Sequence, residues 1–233
     1  KRKGSAMSEP VSSSSSSSLA ARAAILGRLG AAPPGQVPAA PAYVPLPPMG
    51  EGPYQRFCEW MIANRAEVVE TSQADWPRAA FDWLKTAGCR NVAIGAQTPE
   101  GAALAAAVAE GDPAVIPYDQ DVEAFKPAVV REIDAGLTGA RAAVAATGSL
   151  VLWPGPNEPR LLSLLPPNHV VVVAKSALRP TLAEVMKEQG WAAAMPTNVV
   201  VVSGPSKTAD IAQILAFGVH GPKRLAVLVL ADA

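Results

Sequence analysis

The sequence predicts an α/β domain with a mostly parallel sheet flanked by helices, and three observations carry that prediction. From Tyr54 onward short apolar strands alternate with amphipathic helices, the order expected of a sheet wound by crossover helices. Two runs of four valines, at 170–173 and 199–202, show no polar alternation and read as strands buried on both faces. A further apolar run at 225–230 supplies a final strand. In such a sheet, right-handed crossovers bring the loops that follow the strands to one rim, where ligands generally bind.

Each element has a local reason. Residues 54–64 place Phe57, Trp60 and Met61 on one helical face; 67–70 form a short strand; 76–86 align Ala80, Phe81 and Leu84 on a second helix. Residues 91–94 read as a strand stopped at Gly95. Pro99 then opens an alanine-rich helix that runs to about Glu110, with Gly111 just past its end. Residues 114–116 follow as a strand. Residues 127–135 predict a helix that Gly136-Leu137-Thr138-Gly139 terminates. Residues 142–146 and 150–153, joined by Thr147-Gly148-Ser149, predict a hairpin. A short apolar element at 161–165 precedes the first valine run, and a helix over 180–189 stops at Gly190. The two valine runs are the expected central strands.

With 233 residues, 49% of them hydrophobic, the chain can bury one substantial core with an appended segment. Twenty basic and twenty acidic residues cancel, so no overall field favours nucleic acid or an anionic membrane. Cys58 and Cys89 are the only cysteines and His169 and His220 the only histidines. No metal-binding spacing can be assembled from them, and iron–sulfur clusters need several thiolates, so no cofactor is expected on this chain. Isolated cysteines suit reduced thiols in a cytoplasmic protein. Arg22 interrupts the early apolar stretch, which argues against a signal peptide, and no apolar run is long enough for a membrane span.

Residues 1–6 read as an expression remnant, and 7–50 as a flexible N-terminal arm with a short helix and a Pro-rich linker. Residues 51–233 are the α/β domain. Within the arm, the serine tract 12–18 has nothing apolar to bury and is expected to stay unordered. Residues 19–29 form a short amphipathic helix, which either docks a partner or packs back on its own domain.

Polar groups concentrate after the second valine run, in Ser203-Gly204-Pro205-Ser206-Lys207-Thr208-Ala209-Asp210-Ile211 and Gly218-Val219-His220-Gly221-Pro222. The pattern predicts a strand, a Ser/Gly/Pro turn and a helix starting on Thr208 or Asp210. Ser203, Gly204, Ser206 and Thr208 offer hydroxyls and close backbone approach, and Lys207 a charge, for a carboxylate or phosphate at a helix N-terminus. The same residues also suit simple capping, with Asp210 complementing the helix dipole. The spacing is not that of a P-loop. His220 is either an acid, base or hydrogen-bond partner or a tie between loops. Thr147, Gly148 and Ser149 are expected to face the same rim. His169, Cys58 and Cys89 are expected to be structural, and Trp60, Trp76, Trp83, Trp153 and Trp191 to pack in the core.

The Thr147-Gly148-Ser149 turn together with residues 203–211 and 218–222 resembles the lactate utilisation protein C family, whose domain is known as LUD. The resemblance covers most of 51–233. It implies a fold similar to the sugar-phosphate isomerase and coenzyme A transferase superfamily. It also implies a non-cluster subunit in bacterial oxidation of L-lactate to pyruvate, with iron–sulfur clusters on partner subunits. A stand-alone enzyme or binding protein for a small phosphorylated or coenzyme A-linked ligand is the alternative. Ala146 and Ala212 stand where the family pattern has glutamates, so two carboxylates available for acid–base work in the pattern are absent here.

Overall fold

A computed structural model describes residues 14–31, 52–209, 215–218 and 220–233. The chain divides into two units, Lys1–Pro45 and Leu46–Ala233. In the first, α1 spans Ser14–Ala31. The helix predicted at 19–29 therefore extends back through part of the serine tract expected to be unordered. Once a helical turn exists, adding a residue costs far less than starting one, and serine is only a mildly poor helix former.

The second unit runs α2 (Pro53–Ala63), β1 (Glu67–Thr71), α3 (Trp76–Thr86), β2 (Asn91–Gly95), α4 (Pro99–Ala106) and β3 (Ala114–Tyr118). It continues with α5 (Val122–Arg131), β4 (Ala135–Gly139), β5 (Ala142–Val144), β6 (Ser149–Leu152), α6 (Leu161–Leu164) and β7 (Asn168–Ala174). β8 (Leu178–Arg179), α7 (Leu182–Glu188), β9 (Val200–Val202), β10 (Lys207–Ala209), β11 (Leu215–Phe217) and β12 (Arg224–Leu230) complete it. Six strands form one wholly parallel sheet in the order β1-β12-β7-β4-β2-β3. A four-stranded sheet, β8-β5-β6-β9, and the antiparallel pair β10-β11 make up the rest.

Period-two alternation explains how the six-stranded sheet buries both faces. Val170 and Val172 of β7, Ala226 and Leu228 of β12, and Val92 and Ile94 of β2 face Phe81 and Leu84 of α3 and Leu104 of α4. Val171, Val173, Leu225, Val227 and Val229 face the opposite way. They pack against Phe57 and Met61 of α2 and against Ala143, Leu150 and Leu152 of the smaller sheet. α5 and α6 close the same side further along, with Phe125, Val129 and Leu162 over Ala93.

Three expectations change. Residues 136–139 do not end a helix: with Ala135 they form β4, an interior strand. Gly136 is required there because a Cβ would overlap the carbonyl of Leu162, so the glycine that reads as a helix stop serves a close approach of α6. Residues 199–202 do not form a central strand. β9 lies at the edge of the smaller sheet with Val201 47% exposed. No helix starts on Thr208: Lys207 and Thr208 belong to β10, which pairs with β11 in the register Lys207↔Phe217 and Thr208↔Ala216. The backbone groups of 207–209 thus find partners across a hairpin instead of along a helix. Among the tryptophans, Trp76, Trp83 and Trp191 are buried but Trp60 is exposed, because α2 turns only its Phe57 and Met61 edge to the core.

Candidate functional site

The polar rim predicted from sequence is assembled from three segments. β6 and β9 are antiparallel, with Leu150 opposite Val202, so the next residues outward, Ser149 and Ser203, face each other. Their hydroxyls lie 2.6 Å apart, and Thr147 Oγ1 is 2.7 Å from Ser149 Oγ. The three hydroxyls form one hydrogen-bonded chain from the β5–β6 turn to the loop after β9. Gly148 and Gly204 seat this chain against α2. Gly148 has φ 54°, and a Cβ on it would overlap Trp60; a Cβ on Gly204, at φ 147°, would lie 2.9 Å from the Asn64 carbonyl oxygen. Both glycines thus serve packing on the protein's own helix.

The loop then folds on itself. The Ser206 N–H donates to the Pro222 carbonyl at 2.8 Å, and the Gly218 N–H donates to the Ser206 carbonyl at 3.0 Å. These bonds bring 203–207 beside 220–222 around a cavity of about 310 Å³. Ser203, Gly204, Ser206, Lys207 and His220 all line it, together with Ser163, His169 and Val200–Val202. Lys207 and His220 are exposed. Thr147, Gly148 and Ser149 do not line the cavity and reach it only through the Ser149–Ser203 hydrogen bond. Thr208 lies on β10, and Asp210 and Ala212 fall outside the described residues. With Thr208 in β10, no helix end begins at Thr208, and among the described lining residues the polar side chains are hydroxyls, the His169 ring, the Lys207 ammonium and the His220 imidazole.

Sequence reasoning assigned His169 to structure, and the buried ring does have a structural partner: its Nε2 is 2.9 Å from Thr138 Oγ1. Burial depresses its pKa to about 3, so the imidazole is neutral near pH 7 and forms part of the cavity floor without adding charge. Ser163 is the lining hydroxyl that sequence reasoning missed. It sits inside the apolar string Leu161-Leu162-Ser163-Leu164, where a lone serine carries no motif, and its hydroxyl donates to the Arg160 carbonyl at 2.9 Å.

The two cysteines are far apart in sequence and neither is in a disulfide; Cys58 is half-buried on α2 and Cys89 buried before β2. Burial raises both thiols, Cys89 to about 11, which disfavours the thiolate in each. Among the described residues, no group of three or more His, Cys, Asp or Glu is placed to hold a metal ion, and no helix is long and apolar enough to cross a membrane. Ala146 is half-buried against the apolar cluster of Val144, Val151, Val185 and Trp191.

Comparison with known proteins gives matches of three kinds. A family model described as the LUD domain matches residues 54–230. An uncharacterized protein of Neisseria meningitidis serogroup B is 34% identical over 184 residues, 76% of this chain and 77% of that protein. A lactate utilization protein C of Halalkalibacterium halodurans is 37% identical over 105 residues; the match takes in 43% of this chain and 46% of that relative, so the chain spans about half its length. Among solved structures, a duf162 family protein from Deinococcus radiodurans superposes with a TM-score of 0.59 over 79% of this chain and 100% of that chain, at 23% identity, which supports the fold.

Proposed function

The chain belongs to the LUD domain family, and on that premise we propose that it is a non-cluster subunit of a lactate utilisation system that oxidises L-lactate to pyruvate. In this reading partner subunits carry iron–sulfur clusters and the redox chemistry, while this chain, in the cytoplasm, binds and positions. The observation that carries the proposal is the family match over nearly the whole second unit, joined to relatives named lactate utilization protein C. The cavity beside Ser203 fits a binding role. Its hydroxyls, the Lys207 ammonium and the His220 imidazole can hold a small anion by charge-assisted hydrogen bonds. The family pattern that the sequence resembles has glutamates where this chain has Ala146 and Ala212, which favours binding over acid–base catalysis by this chain.

The test is capture of the tagged full chain from its native host under mild conditions. Recovery of cluster-bearing proteins, read from their visible absorbance and acid-labile sulfide, is the expected result. A chain that returns alone overturns the subunit reading. Turnover of a phosphorylated or coenzyme A-linked substrate by the isolated chain would establish the stand-alone alternative instead.

A further inference from the structure

A second cavity, of about 420 Å³, opens at the carboxyl ends of β2 and β4. These strands are neighbours, and their outgoing connections diverge. From Gly95 the chain passes through α4 to β3 on one side; from Gly139 it leaves through the β5–β6 hairpin and reaches β7 on the other. Divergence of this kind opens a crevice between adjacent loops, the position at which open parallel sheets bind ligands. The cavity beside Ser203 has no such origin.

The crevice holds groups of both signs. Glu100, in the first turn of α4, and Glu158, on the loop after β6, line one part. Glu158 Oε2 accepts from the Gly139 N–H at 3.1 Å, and among the described residues no donor bonds its Oε1. Arg141 and Trp153 also line the crevice. The Arg141 guanidinium lies over the Trp153 ring, 4.1 Å from its centroid, and Trp153 is itself held edge-on by Trp191 at 5.4 Å. Among the described residues Arg141 makes no ion pair. A guanidinium fixed on an aromatic face, with its fork of donors unspent, is matched to a carboxylate. The free oxygen of Glu158 is matched to a hydroxyl donor.

We propose that this crevice is a small-molecule site for a hydroxycarboxylate, with the carboxylate on Arg141 and the hydroxyl donating to Glu158. The site rests on the crevice geometry; the choice of L-lactate as first probe rests on the lactate reading above.

Calorimetric titration of the isolated full chain with L-lactate, and with propionate, which has the same skeleton without the hydroxyl, tests the proposal. At pH 8, above the value of about 7 to which burial raises the Glu158 carboxyl, saturable binding of L-lactate is expected, with propionate weaker by about tenfold, the worth of one hydrogen bond to a charged group. Arg141→Met should weaken L-lactate by about tenfold or more while the thermal midpoint stays put, because the Arg141 side chain is exposed. Glu158→Gln should narrow the difference between the two ligands. Arg56→Met, on the exposed side of α2 and lining neither cavity, should change nothing. No saturable binding, equal binding of propionate, or loss on Lys207→Met, in the other cavity, and not on Arg141→Met would overturn the assignment. Lactate binding without captured cluster proteins would leave the site standing and defeat the subunit reading; the reverse result would do the opposite.

Discussion

The two valine runs are the same four residues in two environments. Val170, Val171, Val172 and Val173 lie on β7, between β12 and β4, at most 3% exposed, with helices on one face and helices and a second sheet on the other. Val200, Val201 and Val202 form β9, bonded only to β6 in its sheet, with Val201 turned to solvent. A run without polar alternation says that a strand is apolar, and not which sheet it enters. What separates the two is the neighbouring chemistry. β9 leads into Ser203, whose hydroxyl bonds that of Ser149, and that hydroxyl contact belongs to a rim and not to a core.

Substitutions measure how far apart the two environments are. The largest effect is expected at Leu228, fully buried on β12 next to Val172. Leu228→Ala should cost about 2–5 kcal/mol in denaturant unfolding. Next comes Glu158, whose carboxyl is pushed up to about 7 by burial, with the charge of Glu100 adding to the rise against the Gly139 N–H hydrogen bond. The unfolded carboxyl ionises near its ordinary 4.5, so stability is full below that pH and falls as pH rises towards 7. Glu158→Gln should leave stability near pH 4 unchanged and raise it at pH 8 by up to roughly 3 kcal/mol. A wild-type profile flat between pH 4 and 8 would contradict this. His169 works in the other direction: its depressed pKa contributes stability above about 6.5 that is lost as pH falls towards 3. The valine runs give the direct comparison. Val171→Thr buries an unpaired hydroxyl and should cost about 1–3 kcal/mol, whereas Val201→Thr at the exposed edge should stay within about 0.5 kcal/mol. Equal costs would mean that the two runs share one environment.

The same contrast explains what the sequence made legible. Strong periodicity located α3 at Trp76–Thr86 and the core strands β7 and β12, because apolar spacing is a local signal. β4 was hidden because its Gly136 and Gly139 carry the signature of a helix stop, while their reasons, the Leu162 carbonyl that a Cβ on Gly136 would overlap and the Glu100 carboxylate that a Cβ on Gly139 would meet, lie far away along the chain. β10 was hidden for a related reason. Lys207-Thr208-Ala209 followed by Asp210 suits a helix start, and the pairing to β11 that decides otherwise is set by the Ser206–Pro222 and Gly218–Ser206 hydrogen bonds. At the rim, residue types were readable and their assembly was not. Ser203, Gly204, Ser206, Lys207 and His220 do share a cavity, but Thr147 and Ser149 support it from behind. The crevice residues Glu158, Arg141 and Trp153 belong to no motif and meet only through the sheet order.

The subunit account is tested most directly by reconstitution. L-lactate, the captured cluster-bearing partners and an artificial electron-accepting dye are combined with and without this chain, and dye reduction is followed. The account predicts lactate-dependent reduction that requires the chain and is absent with the chain alone. An unchanged rate in its absence would contradict it.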